Sequence, residues 1–241
     1  MHNQQFELLA LLNKGKSEFR IENTLPEKQS MHLTGVIVNS DPFGFGGIVG
    51  SEVVKELDAL TSGDVDIYLN SPGGSVFAGV AIAEAIQRCK ANVTVNVSGL
   101  CASAATFLVM ASKNSTIGNM GKFMIHNANA GVQGDYRDCT KMAEILRQTD
   151  LQIAEMYALK TGKSIDDMLE MMATETYFTG KQAVEIGFVS ALIEPVITNE
   201  VEWQLEGQPL PEKTTIDNSK TAPDLSYLKA KIKFKELSCP K

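Results

Sequence analysis

Val65-Asp66-Ile67-Tyr68-Leu69 runs directly into Asn70-Ser71-Pro72-Gly73-Gly74, and the stretch from Val76 to Cys89 follows. The first five residues alternate apolar and polar with β-branched positions among them, which reads as a strand. Asn-Ser-Pro-Gly-Gly is a turn signal, because proline sets φ and glycine takes conformations closed to other residues. Val76 to Cys89 is apolar on most faces and predicts a helix buried on several sides. Strand, glycine turn and buried helix form the unit of an α/β fold.

The same alternation continues downstream. Val93 to Val97 is a strand, Gly99-Leu100-Cys101 turns, and Ala102 to Ala111 reads as a very apolar helix. Ser115 to Ile117 and Lys122 to Ile125 are two short strands. One long helix is predicted from about Asp135 to Lys160, where Met142, Ile145, Leu146, Ile153, Met156 and Tyr157 recur at three- and four-residue spacing. Thr161-Gly162 ends it. Ser164 caps a helix from Ile165 to Met172, with Asp167 completing a capping box. Tyr177-Phe178 is extended, Lys181 to Ile186 is a helix ended by Gly187, and Phe188 to Leu192 is the last core strand. Upstream, Glu18 to Glu22 and Met31 to Val38 read as strands, Asn39 to Gly50 as a loop, and Ile48 to Leu60 as an amphipathic helix. The predicted organisation is an N-terminal extension over 1–30, a core domain over 31–194 and an appended, partly disordered tail over 195–241. Near the end of that tail, Leu228 to Lys235 alternates apolar residues with lysines. This reads as a solvated stretch, or as an edge strand or basic docking arm.

The chain has 241 residues, 44% hydrophobic and 21% charged, which suits a soluble globular protein with a sizeable core. Its 22 basic and 29 acidic residues give a net charge of −7, which disfavours nucleic acid or an anionic membrane as a partner. The apolar run from Gly99 to Ala111 falls short of the ~20 residues that span a bilayer, and Met1 to Gln5 has no signal-peptide character. The four cysteines, Cys89, Cys101, Cys139 and Cys239, show no CxxC spacing. No zinc site or disulfide framework is expected, and a reducing cytoplasm fits.

Several catalytic motifs are absent: there is no GxSxG elbow, no HExxH and no complete P-loop. The glycines of 39–50 do not match GxGxxG. Gly15-Lys16-Ser17 and Gly162-Lys163-Ser164 both lack the upstream glycine of a Walker motif. Ser103 is more informative. It sits between Ala102 and Ala104 at the predicted start of an apolar helix. It reads as an N-cap, or as a nucleophile beside free N–H groups that suit a developing oxyanion. Of the three histidines, His126 ends a short strand beside a polar, glycine-containing loop, where an imidazole can reach a cleft. Ser103 and His126 are thus a possible nucleophile and base. Gly73-Gly74 is either a tight turn or a backbone that must approach a ligand closely. Nothing in the spacing brings these three places together.

Asn70-Ser71-Pro72-Gly73-Gly74, Gly99-Leu100-Cys101-Ala102-Ser103, Met124-Ile125-His126-Asn127, Thr161-Gly162-Lys163-Ser164 and Ala183-Val184-Glu185-Ile186-Gly187 occur in an order that resembles ClpP, the proteolytic subunit of the Clp protease, over about Leu33 to Leu192. Ser75-Val76-Phe77-Ala78-Gly79 and Glu175-Thr176-Tyr177-Phe178-Thr179 look closer to the ClpP-related proteases of phages and prophages, which are associated with head maturation. The resemblance implies an α/β fold of the ClpP/crotonase-like type, a superhelix of β-β-α units with a protruding handle helix after His126. It implies a serine endopeptidase with Ser103 as nucleophile and His126 as base. The Gly74 and Ala104 N–H groups would form the oxyanion hole, and Gly73, Ser75 and Val76 would lie along an extended peptide. It implies no metal and no cofactor. The expected partners are a protein or peptide substrate and further copies of the chain, as a heptameric ring or two stacked rings. A phage capsid or scaffold protein is a possible substrate.

Three departures accompany the resemblance. The triad acid, an aspartate in ClpP, falls on Glu175 here, as in many phage relatives. The arginine before it, which helps join rings in ClpP, is Thr174. The N-terminal region does not match the ClpP axial loop, so a Clp ATPase partner is not supported. Two other readings stay open. One is an acyl-CoA enzyme on the same fold, which an intact Ser103 and His126 disfavour. The other is a catalytically inactive structural or capsid-associated subunit.

Overall fold

A computed structural model describes residues 18–25, 28–41 and 46–193. The tail expected from residue 195 lies outside the described residues. In chain order the elements are β1 (Glu18–Leu25), β2 (Lys28–Thr34), β3 (Ile37–Val38), β4 (Ile48–Val49), α1 (Gly50–Ala59), β5 (Asp64–Ser71), α2 (Val76–Arg88) and β6 (Asn92–Ala102). A 3₁₀ turn at Ser103–Ala105 leads into α3 (Thr106–Ala111), β7 (Asn114–Gly118), β8 (Lys122–Ile125), α4 (Tyr136–Thr161), α5 (Ile165–Ala173), β9 (Thr176–Thr179), α6 (Gly180–Ile186) and β10 (Ala191–Ile193). This is the mixed α/β fold that the alternating pattern predicts.

The main sheet runs β1-β2-β5-β6-β7-β10, parallel from β2 onward, with β1 antiparallel on its edge. β6 changes partner half-way. Thr94 to Val97 pair with β7, and Leu100 to Ala102 pair with β8. The fork falls at Ser98-Gly99. Gly99 has φ +124°, and the Asn70 side chain sits where its Cβ would point and accepts the Leu100 N–H at 3.1 Å. Only glycine suits that turn.

The differences from the sequence reading have local causes. Met31 to Val38 is two strands, because Gly35 at φ +110° breaks the ladder; β3 then pairs with β4, inside the expected loop. The strand from Val93 extends through Ala102, so the expected helix Ala102 to Ala111 is a strand end, a 3₁₀ turn and only then α3. Phe188 and Val189 are buried in a turn, and the last strand starts at Ala191. α2 buries Ala78, Ile82, Ala85 and Ile86 but leaves Phe77 80% exposed, so it is covered on fewer sides than its composition predicts.

The long helix α4 is capped as expected. Asp135 and Asp138 form a capping box at its start, and Gly162 at φ +72° closes it. Its buried residues are Ile153, Ala154 and Tyr157, all in the final third. The apolar period holds upstream, yet Ile145 and Leu151 remain exposed. Behind the sheet fork, Phe188 packs on Phe123 of β8, Phe178 of β9 and Tyr157 of α4, with ring centroids 5.0, 5.4 and 5.5 Å apart. Such ring pairs add about 0.5–1.5 kcal/mol each beyond area burial. They tie together the two short strands that flank His126 and Glu175.

Candidate active site

Strand register assembles what sequence spacing could not. Ala102 of β6 lies beside Met124 of parallel β8. Two parallel strands in register end side by side, so Ser103 and His126 emerge at the same rim of the sheet. Ile125 pairs with Thr176 of antiparallel β9, and one step further brings Glu175 opposite His126. Ser71 of β5 pairs with Cys101, and two steps further bring Gly73 opposite Ser103. The carboxyl ends of adjacent strands are the usual place for a site in an open parallel sheet.

Ser103 does not cap a helix. The residues in capping position for the 3₁₀ turn and for α3 are Ala102 and Ala105, which make no side-chain cap bond. Instead, Ser103 Oγ lies 2.7 Å from His126 Nε2. Its backbone has φ +54°, unusual outside glycine. The conformation is held from behind: Thr106 Oγ1 donates to the Ser103 carbonyl at 2.6 Å, and Tyr157 Oη lies 2.6 Å from Thr106 Oγ1. A threonine hydroxyl has one proton, so the buried Tyr157 hydroxyl donates to Thr106.

His126 is mostly buried, and that burial is the main influence on it, holding its pKa below the ordinary imidazole value. The charges of Glu175 and then Asp150 act in the opposite direction. The balance favours a neutral imidazole, the form that can accept a proton. Glu175 also has positive φ, +49°, and its Oε1 accepts the Tyr177 hydroxyl at 3.2 Å. Thr174 caps α5 and bonds its own helix carbonyls at Glu170 and Met171.

Gly73 and Gly74 are required by contact. A Cβ on Gly73 would meet Ala102 O, Ser103 Cβ and Ala104 N at 2.6 to 2.9 Å, and one on Gly74 would collide with the Ile37 carbonyl. Gly74 forms a parallel bridge with Ile37. Ile37 donates to Gly73 O at 2.8 Å and accepts from Ser75 N at 2.9 Å. That pattern turns the Gly74 N–H away from Ile37. Ala104 is the second residue of the 3₁₀ turn, where amides have no partner within the helix. Ser75 is the α2 N-cap: its hydroxyl accepts from Ala78 N and donates to Asn39 Oδ1. Val76 begins α2 and borders a mostly apolar cavity of about 190 Å³ against Phe107, Ile153 and Met156.

Asp150 escaped the sequence reading. It lies on α4, and its Oδ1 accepts the Ala128 N–H at 2.7 Å, just beyond His126. One signal could have found it. Asp150, Ile153, Ala154 and Tyr157 stand at i, i+3, i+4 and i+7, so a carboxylate occupies the buried stripe of a helix.

The Clp protease family model matches residues 48–196, more than half of the chain and a span that holds every residue discussed above from Gly73 to Glu175. The chain belongs to the Clp protease family. It is 35% identical over 138 residues to the ATP-dependent Clp protease proteolytic subunit 2 of Nocardia farcinica, covering 54% of this chain and 65% of that protein. It is 34% identical over 134 residues to subunit 2 of Rhodococcus jostii, covering 55% and 69%. It is 33% identical over 158 residues to subunit 1 of Corynebacterium jeikeium, covering 61% and 84%. The chain thus spans just under two thirds of the Nocardia relative's length. Among the described residues no helix is long and apolar enough to cross a membrane.

Proposed function

We propose that this chain is a serine endopeptidase in which Ser103, His126 and Glu175 act as nucleophile, base and orienting acid. One observation carries the reading: the 2.7 Å contact between His126 Nε2 and Ser103 Oγ at the rim of the sheet. With its proton on Nδ1, His126 accepts the Ser103 proton as Oγ attacks a peptide carbonyl. The imidazolium then gives that proton to the leaving amine, and an acyl group remains on Ser103. Water, deprotonated by the same imidazole, hydrolyses the acyl group. The Gly74 and Ala104 N–H groups face the developing oxyanion, a donor pair of which each member is worth ~10²–10³ in rate. Glu175 keeps the imidazole oriented and offsets its charge.

The substrate is an extended peptide along Gly73 to Val76, aligned by backbone pairing. The cavity beside Val76 and Phe107 accepts an apolar side chain. Phe77, Met120 and Leu159, exposed at 80%, 91% and 88%, fit contacts with further copies in a homo-oligomeric ring. In this reading the peptidase domain spans 31–194, between an N-terminal extension and an appended tail. The N-terminal sequence gives no support for a Clp ATPase partner, and the protein acts in the cytoplasm, on a phage capsid or scaffold protein or in general degradation. The phage assignment rests on the likeness of 75–79 and 175–179 to phage ClpP relatives.

The test is labelling by a fluorophosphonate probe, followed by peptide mapping, on wild type, Ser103→Ala and His126→Ala. The expected outcome is a single adduct at Ser103, absent from the first variant and strongly reduced in the second. A folded, assembled wild type without an adduct would identify an inactive structural subunit.

A further inference from the structure

We propose that Asp150 is a positioning residue for the peptidase reaction: its carboxylate ties the loop behind His126 to the long helix and places a second negative charge beside the imidazole. The inference rests on the reading of Ser103 and His126 as nucleophile and base. His126 leaves the end of β8, and the chain from Asn127 onward has no strand to hold it. A base at a strand end needs its backbone fixed, since ~1 Å of misplacement costs on the order of a hundredfold in rate. Asp150 supplies a fixed point two residues beyond the imidazole, through the 2.7 Å bond from Ala128 N to its Oδ1. The fixed point is itself anchored, because α4 is buried immediately afterwards at Ile153, Ala154 and Tyr157.

The second role is electrostatic. Ser103 from the turn after β6, Glu175 from the turn before β9 and Asp150 from α4 all act on His126. The Asp150 carboxyl is partly buried, which raises its pKa, while the Ala128 N–H and His126 pull it down. Among the described residues no lysine or arginine forms an ion pair with it. A half-buried carboxylate tied to a backbone amide and interacting with an imidazole stabilises the imidazolium that forms as Ser103 gives up its proton. Glu175, at the entry to β9, acts on the ring through its charge. The site therefore uses two acids, one in line with β9 and one on the helix.

The two roles separate by mutation. Asp150→Asn keeps an acceptor for the Ala128 N–H and removes the charge, whereas Asp150→Ala removes both. The measurement is the second-order rate of fluorophosphonate labelling at Ser103 from pH 4.5 to 9, with thermal melting in parallel. For Asp150→Asn we expect a plateau roughly three- to tenfold below wild type, an acid limb displaced to lower pH by about half a unit to one unit, and an unchanged melting temperature. For Asp150→Ala we expect a further loss of plateau with the limb where Asn leaves it. An Asn variant whose limb coincides with wild type overturns the proposal whatever its plateau. If Asp150→Ala fails to fold, the Asn variant still decides. Failure of the underlying reading looks different, because wild type itself would then not be labelled at Ser103.

Discussion

Gly73→Ala is the sharpest perturbation of the proposed nucleophile that removes no side chain of the site. The new methyl would lie 2.6 Å from Ala102 O, 2.7 Å from Ser103 Cβ and 2.9 Å from Ala104 N, which is 0.5 to 0.8 Å inside the 3.4 Å at which ordinary contact begins. All three obstacles are backbone atoms or the nucleophile's own Cβ, so no distant rotamer relieves them. Gly73 also has φ +89°, where a side chain costs about 1–3 kcal/mol. Against a typical stability of about 5–15 kcal/mol the protein stays folded, and its melting temperature falls by roughly 2–12 °C. The chemistry suffers more. Displacing Ser103 and Ala104 by most of an ångström moves Oγ from His126 and one oxyanion donor from its place together. Labelling at Ser103 and peptide hydrolysis should slow about thirty- to a hundredfold. Gly118→Ala is the control, since a Cβ there meets nothing within 4 Å. A folded Gly73→Ala variant that labels within about threefold of wild type would refute the idea that this close approach sets the nucleophile.

Two further outcomes test the electrostatics. Because burial holds the His126 pKa below the ordinary value of ~6.5, kcat/KM for a short peptide should rise with pH through a midpoint under that value and be lost below it; a midpoint at or above it would mean that the two carboxylates outweigh burial. Glu175→Gln removes the orienting charge at nearly constant shape and should lower kcat by about 10²–10⁴ with little change in melting. A change under about threefold would assign the orienting role elsewhere, with Asp150 the nearest alternative.

The parts of the fold legible in the sequence are those set within one turn or one strand. Ser164 with Asp167, and Gly162 and Gly187 at helix ends, act through hydrogen bonds a few residues long, and all three fall where the local pattern places them. The fork in β6 is different. Its cause is a partner switch between β7 and β8, which are separate segments downstream, and Val93 to Val97 alone shows only half of the strand. Reading Ser103 as a helix start follows from the same gap, since the apolar run after Gly99 is strand first and helix second. Asp150 is one of many charges on α4, and in the sequence only its spacing from Ile153, Ala154 and Tyr157 sets it apart from Asp138 or Glu144.

Among the described residues, two outside glycine have positive φ: Ser103 at +54° and Glu175 at +49°. They are also the proposed nucleophile and orienting acid, one leaving β6 and the other entering β9. Each such conformation costs of the order of 1–3 kcal/mol and survives only where neighbours over-determine it. Both have such neighbours. Ser103 is held by Thr106, Tyr157 and the Gly73 backbone, and Glu175 by its N–H to Met172 O at 3.1 Å and by Tyr177. A residue at 103 in ordinary extended conformation would carry β6 onward. The left-handed turn ends the ladder there, where the hydroxyl meets His126. An evenly strained loop would scatter such conformations. Their restriction to these two residues, on the two strands that flank β8, is what a site set by backbone geometry requires.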